Sequence, residues 1–436
     1  MNSYVKIAKD FLTEYKMNPK LVEVDKICSL FLEEMNKGLA GEQSSLMMIP
    51  TYIETGKNLP LNKPVIVLDA GGTNFRVATV KFKRTGIPEI SKFRKFKMPG
   101  TENEGNVSKD DFFRRIAGFL EESVSDSEKI GFCFSYPTEI FPNGDGKLIH
   151  FVKEVKAPEV EGCMIGKNLI DALDKKGFNK KKTIVILNDT VATLLAGKSQ
   201  KKNYDSYIGF ILGTGTNCSY IEKNSNIKKI KNLQNNLSQA INMESGQFNV
   251  YAGGTLDAEF RAGTHKPNEG VFEKMISGAY QGSLALLVIK KAAEEGLFSD
   301  KFKTEIIKTT TLNPIVMDTF LNNPDNSENS LTQICRTDSD KIILFTLMDQ
   351  LIERAAKLTA AQLAAVVVKT EKGDNPAQPV CIAADGTTYY KTRGLKFRTE
   401  FYLKQYLENT KGKYVEFCHI SDAPILGAAV AGLIQN

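Results

Sequence analysis

The stretch PVIVLDAGGTNFRVATVKF, residues 64–82, runs an apolar segment into an acid, two glycines and a threonine before an extended pattern resumes. That arrangement predicts two strands around a tight turn. Related wording returns as SYIGFILGTGTNCSYIE at 206–222, and Gly-Thr-Asn stands at both 72–74 and 215–217. A turn of Gly71, Gly72 and Thr73 lets backbone N–H groups approach a polyanion, because glycine has no Cβ, and Thr73 adds a hydroxyl donor. Asp69 at the strand end tolerates a phosphate beside it only with a cation between them, which points to Mg²⁺ held directly or through water. Gly213, Thr214, Gly215 and Thr216 make the second turn, with Leu212 in the place of Asp69. A lone glycine turn reads more readily as a plain hairpin. Two with shared wording favour a pair that grips a nucleoside triphosphate from both sides.

Between them VILNDTVATLLA (185–196) delivers Asn188 and Asp189 from an apolar strand to the start of a helix. An Asp-Thr pair there serves equally as a helix cap. An acid that ends a buried strand between two phosphate turns also suits a second task. Phosphoryl transfer to an alcohol needs a group that accepts the hydroxyl proton, so Asp189 is the expected base.

Composition bounds the remaining choices. The chain has 436 residues, 42% hydrophobic and 25% charged, which suits two globular domains better than one. Its longest apolar runs, at 364–368 and 424–434, fall short of the about 20 residues of a membrane span. The N-terminus lacks the apolar core of a signal peptide, so the protein reads as cytosolic. Seven scattered cysteines, never spaced as CxxC, and three isolated histidines argue against a disulfide framework, a zinc cluster or a histidine base. The net charge of +6 is mild, and the lysine runs at 173–182 and 223–231 lack interleaved aromatics, so they read as solvated loops rather than a nucleic-acid or membrane surface. Tyr4, Ile7, Ala8, Phe11, Leu12 and Tyr15 form a helical stripe expected to pack on the body of the protein.

Elsewhere extended and helical patterns alternate. Helices are expected at 22–41, closed by Gly38 or Gly41, at 108–124 capped by Ser108, near 166–177, at 190–198, at 272–296 and at 340–369. Strands are expected at EKIGFCFSYP, KTIVILND and PVCIAADG, with a glycine-rich loop at FPNGDGK and a closing small-residue helix at GAAVAGLI. Apart from the two glycine turns no short repeat appears, which excludes a solenoid and favours two mixed α/β domains around a cleft.

LDAGGTNFRV, FSYP, LNDTVATLLA, GFILGTGTNCSYIE, INMESGQF, FEKMISGAYQG and IAADGTTYYK resemble, in order and spacing, the blocks of the hexokinase family of sugar kinases. The resemblance covers the chain from about residue 20 to its end. It implies an α/β, two-domain actin-like sugar kinase (ribonuclease H-like) fold with an interdomain cleft. The small lobe would be 63–202 plus 422–436, and the large lobe 1–62 plus 203–421. It also implies ATP with Mg²⁺ and phosphorylation of a hexose, glucose before others, at the 6-hydroxyl, the first step of glycolysis. Asp69, Gly71, Gly72, Thr73, Asn74 and Arg76 would then face the phosphates, with Asp69 toward the metal and Arg76 sharing catalysis with Asp189. Gly213, Thr214, Gly215 and Thr216 would take the other side, and Asp385, Gly386 and Thr387 the adenosine. Ser135, Lys153, Asn188, Asp189, Asn217, Glu244 and Glu273 would meet the sugar, a set of carboxylates and amides suited to a polyol.

The chain departs from the family wording in several places. Val152-Lys153 stands for Thr-Lys, Glu244-Ser245-Gly246 for Glu-Trp-Gly, Gly282-Ser283 for Gly-Glu, and APILGAA for a Gly-Lys-Gly pattern. These changes bear on the choice of sugar and leave the phosphate turns intact. A kinase for another sugar and a sugar-sensing protein with little turnover are the alternatives. A sensor would be expected to have lost Asp69 or Asp189, and both are present.

Overall fold

The computed structural model describes residues 3–84, 87–102, 105–151, 155–178, 181–200 and 202–435. After strand β1 (Ile49–Glu54), strands β2 (Pro64–Gly71), β3 (Asn74–Phe82) and β4 (Pro88–Lys97) form an antiparallel meander. β5 (Lys129–Phe134) then adds parallel to β2, and after the small hairpin of β6 (Thr138–Ile140) and β7 (Gly146–Leu148), β8 (Thr183–Leu187) adds parallel to β5. This gives a five-stranded sheet in the order β4-β3-β2-β5-β8.

The second half repeats the plan. β9 (Ser206–Leu212), β10 (Thr216–Lys223) and β11 (Ser238–Asn242) form another antiparallel meander, and β12 (Val380–Asp385) and β13 (Val415–Cys418) extend it in parallel on the β9 side. β1 closes the far edge, giving the order β1-β11-β10-β9-β12-β13. Each Gly-Thr turn therefore joins the first two strands of its own unit. The continuous apolar runs of β2, β5 and β9 follow from burial on both faces of central strands.

Each unit ends in a helix that crosses to the other. The Asp189–Lys198 helix, which follows β8, packs on β9, β10 and β12. The Ala423–Ile434 helix, which follows β13, packs on β2, β5 and β8. The two helices touch each other between the sheets through a core of Val191, Ala192, Leu195, Ile425, Ala428 and Ala429. Glycines permit this approach: a Cβ on Gly427 would lie 1.8 Å from the Ala192 carbonyl oxygen. One on Gly131 of β5 would lie 1.8 Å from that of Ala428, and one on Gly209 of β9 would lie 2.1 Å from that of Thr190. Outside this layer, the Asp338–Thr370, Gly278–Glu294 and Val24–Ala40 helices build the core against the six-stranded sheet. The Lys109–Phe119 and Ile165–Lys175 helices cover the other face of the five-stranded one.

Several boundaries differ from expectation. The first long helix stops at left-handed Gly41 (φ 82°), while Gly38 sits inside it against the Leu46 carbonyl. The helix capped by Ser108 ends at Phe119, and the helical stretch at 272–296 is two helices, Glu273–Ile276 and Gly278–Glu294, parted by extended Ser277. FPNGDGK is a hairpin end whose Asp145 carboxylate accepts from the Gly166 and Lys167 amides and so caps the Ile165–Lys175 helix from outside. In the N-terminal stripe Ala8, Phe11 and Leu12 are buried while Tyr4 and Ile7 are exposed. Lys182, read as part of a solvated run, is buried because its ammonium binds the carbonyls of Val124 and Ser127. No helix among the described residues is long and apolar enough to cross a membrane.

Alanine in place of an exposed helical glycine stabilises by about 1 kcal/mol, but the contact at Gly427 reverses that sign, and Gly131 of β5 meets the Ala428 carbonyl just as closely. Gly427→Ala and Gly131→Ala are expected to lower stability by about 1–3 kcal/mol in urea unfolding. Gly56→Ala, with nothing within 4 Å of its Cβ, is expected to leave stability unchanged.

Candidate active site

The first turn is a two-residue hairpin, with Gly71 opposite Asn74 and Gly72 at φ 73°. It is anchored from behind: the Tyr136 hydroxyl donates to the Gly72 carbonyl (2.9 Å) and the Met98 amide to the Thr73 carbonyl (2.9 Å), while Gly71, Thr73 and Asn74 stay exposed. The same register sets Asp69 beside Arg76. The guanidinium Nε and Nη2 each lie 2.5 Å from Asp69 Oδ2, and Nη1 lies 3.7 Å from Asp422 Oδ1, at the start of the Ala423–Ile434 helix. Asp69 is 2% exposed. Burial pushes its acid up, Arg76 opposes the shift, and the Asp189 charge adds to it.

The second turn is held by three segments. The Gly278 amide (2.9 Å) and the Thr388 hydroxyl (2.8 Å) both donate to the Gly213 carbonyl, and the Ala279 amide donates to the Thr214 carbonyl (3.1 Å). Gly386, at φ 115°, packs so closely that a Cβ would lie 2.3 Å from the Leu212 oxygen. Asp385, Gly386 and Thr387 are thereby joined to the Gly213–Gly215 turn. Thr216 faces inward: its hydroxyl donates to the Ile211 carbonyl (3.0 Å) and its amide to Glu273 Oε2 (2.9 Å). Thr214 is the threonine that this turn exposes.

Glu273 also explains Gly215, whose Cβ would meet Glu273 Oε2 at 2.5 Å. Asn217 follows on β10. Its Nδ2 donates to Asn242 Oδ1 (2.8 Å), and its Oδ1 accepts from the Cys218 (2.7 Å) and Ser245 (3.2 Å) amides. Asn242 in turn donates to Glu244 Oε1 (2.8 Å), and Glu244 has the left-handed backbone φ 55°. Burial raises the acids of both Glu244 and Glu273, and the charges of Asp189 and Glu273 raise Glu244 further.

Asn188 is the N-cap of the Asp189–Lys198 helix, its Oδ1 accepting from the Thr190 amide (2.8 Å). Asp189 Oδ1 also accepts from that amide (2.8 Å). The cap therefore does not depend on Asp189 alone. The Asp189 charge raises the acids of Asp69, Cys133 and Glu244. Ser135, at the end of β5, donates its amide to the Ala70 carbonyl (3.1 Å), with its hydroxyl 3.8 Å from Cys133 Sγ. Val152 and Lys153 lie outside the described residues.

Sequence reasoning missed Asp422, Tyr136 and Asn242, which support Arg76, Gly72 and Glu244 respectively. Asp422 had a signal, an acid directly before an Ala-Pro helix start. Asn242 stands in the INMESGQF block, but its bond from Asn217 is set by the pairing of β10 with β11.

Two family models described as hexokinase match residues 7–199 and 207–434. Hexokinase-1 of Schizosaccharomyces pombe is 27% identical over 432 residues, covering 94% of this chain and 87% of the relative. Hexokinase-2 of Homo sapiens is 28% identical over 394 residues, covering 85% of this chain but 42% of the relative. Hexokinase-2 of Equus caballus is likewise covered over 42% of its length, so the chain spans well under half of several curated relatives it matches. Among solved structures, a hexokinase from Schistosoma mansoni complexed with glucose superposes with a TM-score of 0.76 at 24% identity over 99% of both chains. Another hexokinase crystal structure gives 0.78 at 21% over the whole of both. These structural likenesses concern the fold.

Because burial raises the Glu244 acid, the native state binds its proton more readily than the unfolded chain, and stability falls as pH rises from the ordinary glutamate value near 4.5. Glu244→Gln removes that loss. Its thermal midpoint is expected to exceed the wild-type midpoint at pH 8, with the gap closing toward pH 4. A gap that widens on acidification would contradict the assigned burial.

Proposed function

The chain belongs to the hexokinase family, and we propose that it transfers the γ-phosphoryl group of ATP to the 6-hydroxyl of a hexose, with glucose the first candidate. The observation that carries this reading is Asp189, the first residue of a helix packed between the two sheets, with Asp69 and Glu244 near enough for its charge to raise both of their acids. Asp69 lines the exposed glycine turn suited to phosphates, and Glu244 neighbours Asn217 and Asn242, suited to sugar hydroxyls.

In this reading residues 63–202 with 422–436 form the small lobe, and 1–62 with 203–421 the large lobe. Asn217, Glu244 and Glu273 receive the sugar hydroxyls, together with Ser135, Asn188 and Lys153. Asp189 accepts the 6-hydroxyl proton while the sugar oxygen bonds to the γ-phosphorus. The bond from that phosphorus to the β–γ bridging oxygen breaks, and ADP leaves with the electron pair. Arg76 and the first-turn amides face the charge that develops on the phosphoryl oxygens. The donor set fits Mg²⁺ in the mode that uses a single carboxylate, Asp69, with phosphate oxygens and water. No cluster of three or more His, Cys, Asp or Glu among the described residues forms a metal cage. When bound, the ion neutralises phosphate charge. Asp385, Gly386 and Thr387 contact the adenosine. Exclusion of water from the site keeps the Asp189 base from assisting ATP hydrolysis.

A panel of hexoses with Mg-ATP, followed by ADP release, tests the reading. Glucose is expected to turn over, and glucose lacking the 6-hydroxyl to bind without turnover. A panel in which no hexose stimulates ADP release would overturn it in favour of a sugar-sensing protein. Asp189→Ala is expected to cut kcat by about 10²- to 10⁴-fold with the fold retained, because Asn188 keeps the helix cap. Asp69→Ala is expected to regain part of its activity as Mg²⁺ is raised, and Asp189→Ala none. An active Asp189→Ala protein would remove the base.

A further inference from the structure

Gln362 projects from the middle of the Asp338–Thr370 helix into the core of the large sheet with no solvent exposure. Its Nε2 lies 2.9 Å from the Ser245 hydroxyl and also contacts the Cys218 sulfur, while its Oε1 has no hydrogen-bond partner. Cys218 follows Asn217 and Ser245 follows Glu244. The two segments are stitched by the Met243 amide on the Cys218 carbonyl (3.0 Å) and by the Ser245 amide on Asn217 Oδ1 (3.2 Å). The Oε1 atom is thus buried without a partner, a cost that an apolar side chain in its place would not carry. Glu244 adds a second cost at the same place, a left-handed non-glycine backbone that persists only where its surroundings over-determine it. Residue 245 is also the point where this chain has serine in place of tryptophan.

We infer that Gln362 is a positioning residue for sugar recognition, whose amide ties the residue after Asn217 to the residue after Glu244 and so sets the spacing of these two hydroxyl-binding groups. The inference rests on the kinase reading above and adds to it a residue that touches neither sugar nor nucleotide. It accounts for a buried glutamine that folding alone does not favour, and it links the serine at 245 to the geometry of Glu244 rather than to direct contact with the sugar.

Gln362→Met keeps length and removes both polar contacts. Its thermal midpoint is expected to equal or exceed the wild-type value, while the KM for glucose rises about tenfold with kcat and the KM for Mg-ATP within about twofold. Calorimetric titration of nucleotide-free protein with glucose is expected to show the same loss without any turnover. Ser245→Ala is expected to raise the glucose KM similarly, and the double variant to be no worse than the poorer single one. Unchanged glucose affinity in Gln362→Met, or additive losses in the double variant, would overturn the clamp. If Gln362→Met fails to fold, Ser245→Ala decides alone, and an unchanged glucose affinity there overturns it. A wild-type protein inert toward every hexose and unable to bind glucose sinks the kinase reading and the clamp together. Wild-type turnover with an indistinguishable Gln362→Met sinks the clamp only.

Discussion

Backbone contact between the two crossed helices is the constraint on which the rest of the molecule depends. From β5 to β9 the chain of contacts runs Gly131 to Ala428, Gly427 to Ala192 and Thr190 to Gly209, each with a glycine on one side where a methyl group does not fit. The exchange of terminal helices lets this contact lock both sheets at once. It also fixes the N-terminus of the Asp189–Lys198 helix, because the Thr190 carbonyl lies against Gly209 and accepts from the Ser219 hydroxyl (2.8 Å). Asp189 thus stands at a point defined by both sheets. Such dense packing transmits small shifts rather than absorbing them.

The carboxylates gathered around that point oppose folding. Asp69, Glu244 and Glu273 all have acids raised by burial, and the Asp189 charge raises two of them further. Arg76 offsets part of this cost at Asp69 and extends toward Asp422. In the proposed reading a cation or a polyol bound here would supply the charge or donors that offset this cost. The strain at Glu244 and the unpaired end of Gln362 belong to the same pattern, in which local stability is given up around a functional site.

The two units match closely in strand plan, and their differences carry the chemistry. Asp69 ends the first central strand where Leu212 ends the second, so only one of the two glycine turns has an acid beside it. The first turn has two residues and is open outward, whereas the second has three and is gripped by Gly278, Thr388 and Glu273. Asp189 and Asp422 stand at the starts of equivalent helices, one facing the carboxylate group and the other Arg76.

Much of this was legible in the residues themselves. The repeated Gly-Thr-Asn wording marked both turns, because the positive φ of Gly72 and the close approach of Glu273 to Gly215 each require glycine. The apolar runs of β2, β5 and β9 read as strands, and the sheet order then placed them away from the edges. The residues alone suggested a turn of Gly71, Gly72 and Thr73, and the pairing of Asp69 with Arg76 came only with the two-residue turn at Gly72 and Thr73 that the fold adopts, since hairpin register is counted from the turn. Tertiary structure decided what local pattern leaves open. The chain breaks at Ser277 although helical periodicity runs through it, and Glu273 in the short helix before the break accepts from the Thr216 amide. Lys182 is buried because two loop carbonyls happen to meet it, and Thr216 faces inward because Glu273 and Ile211 take its donors. Asn242, Gln362 and Asp422 reach the site across strands and helices far apart in the chain. Side-chain spacing within one element is set by its own period, but which elements touch is set by packing the whole.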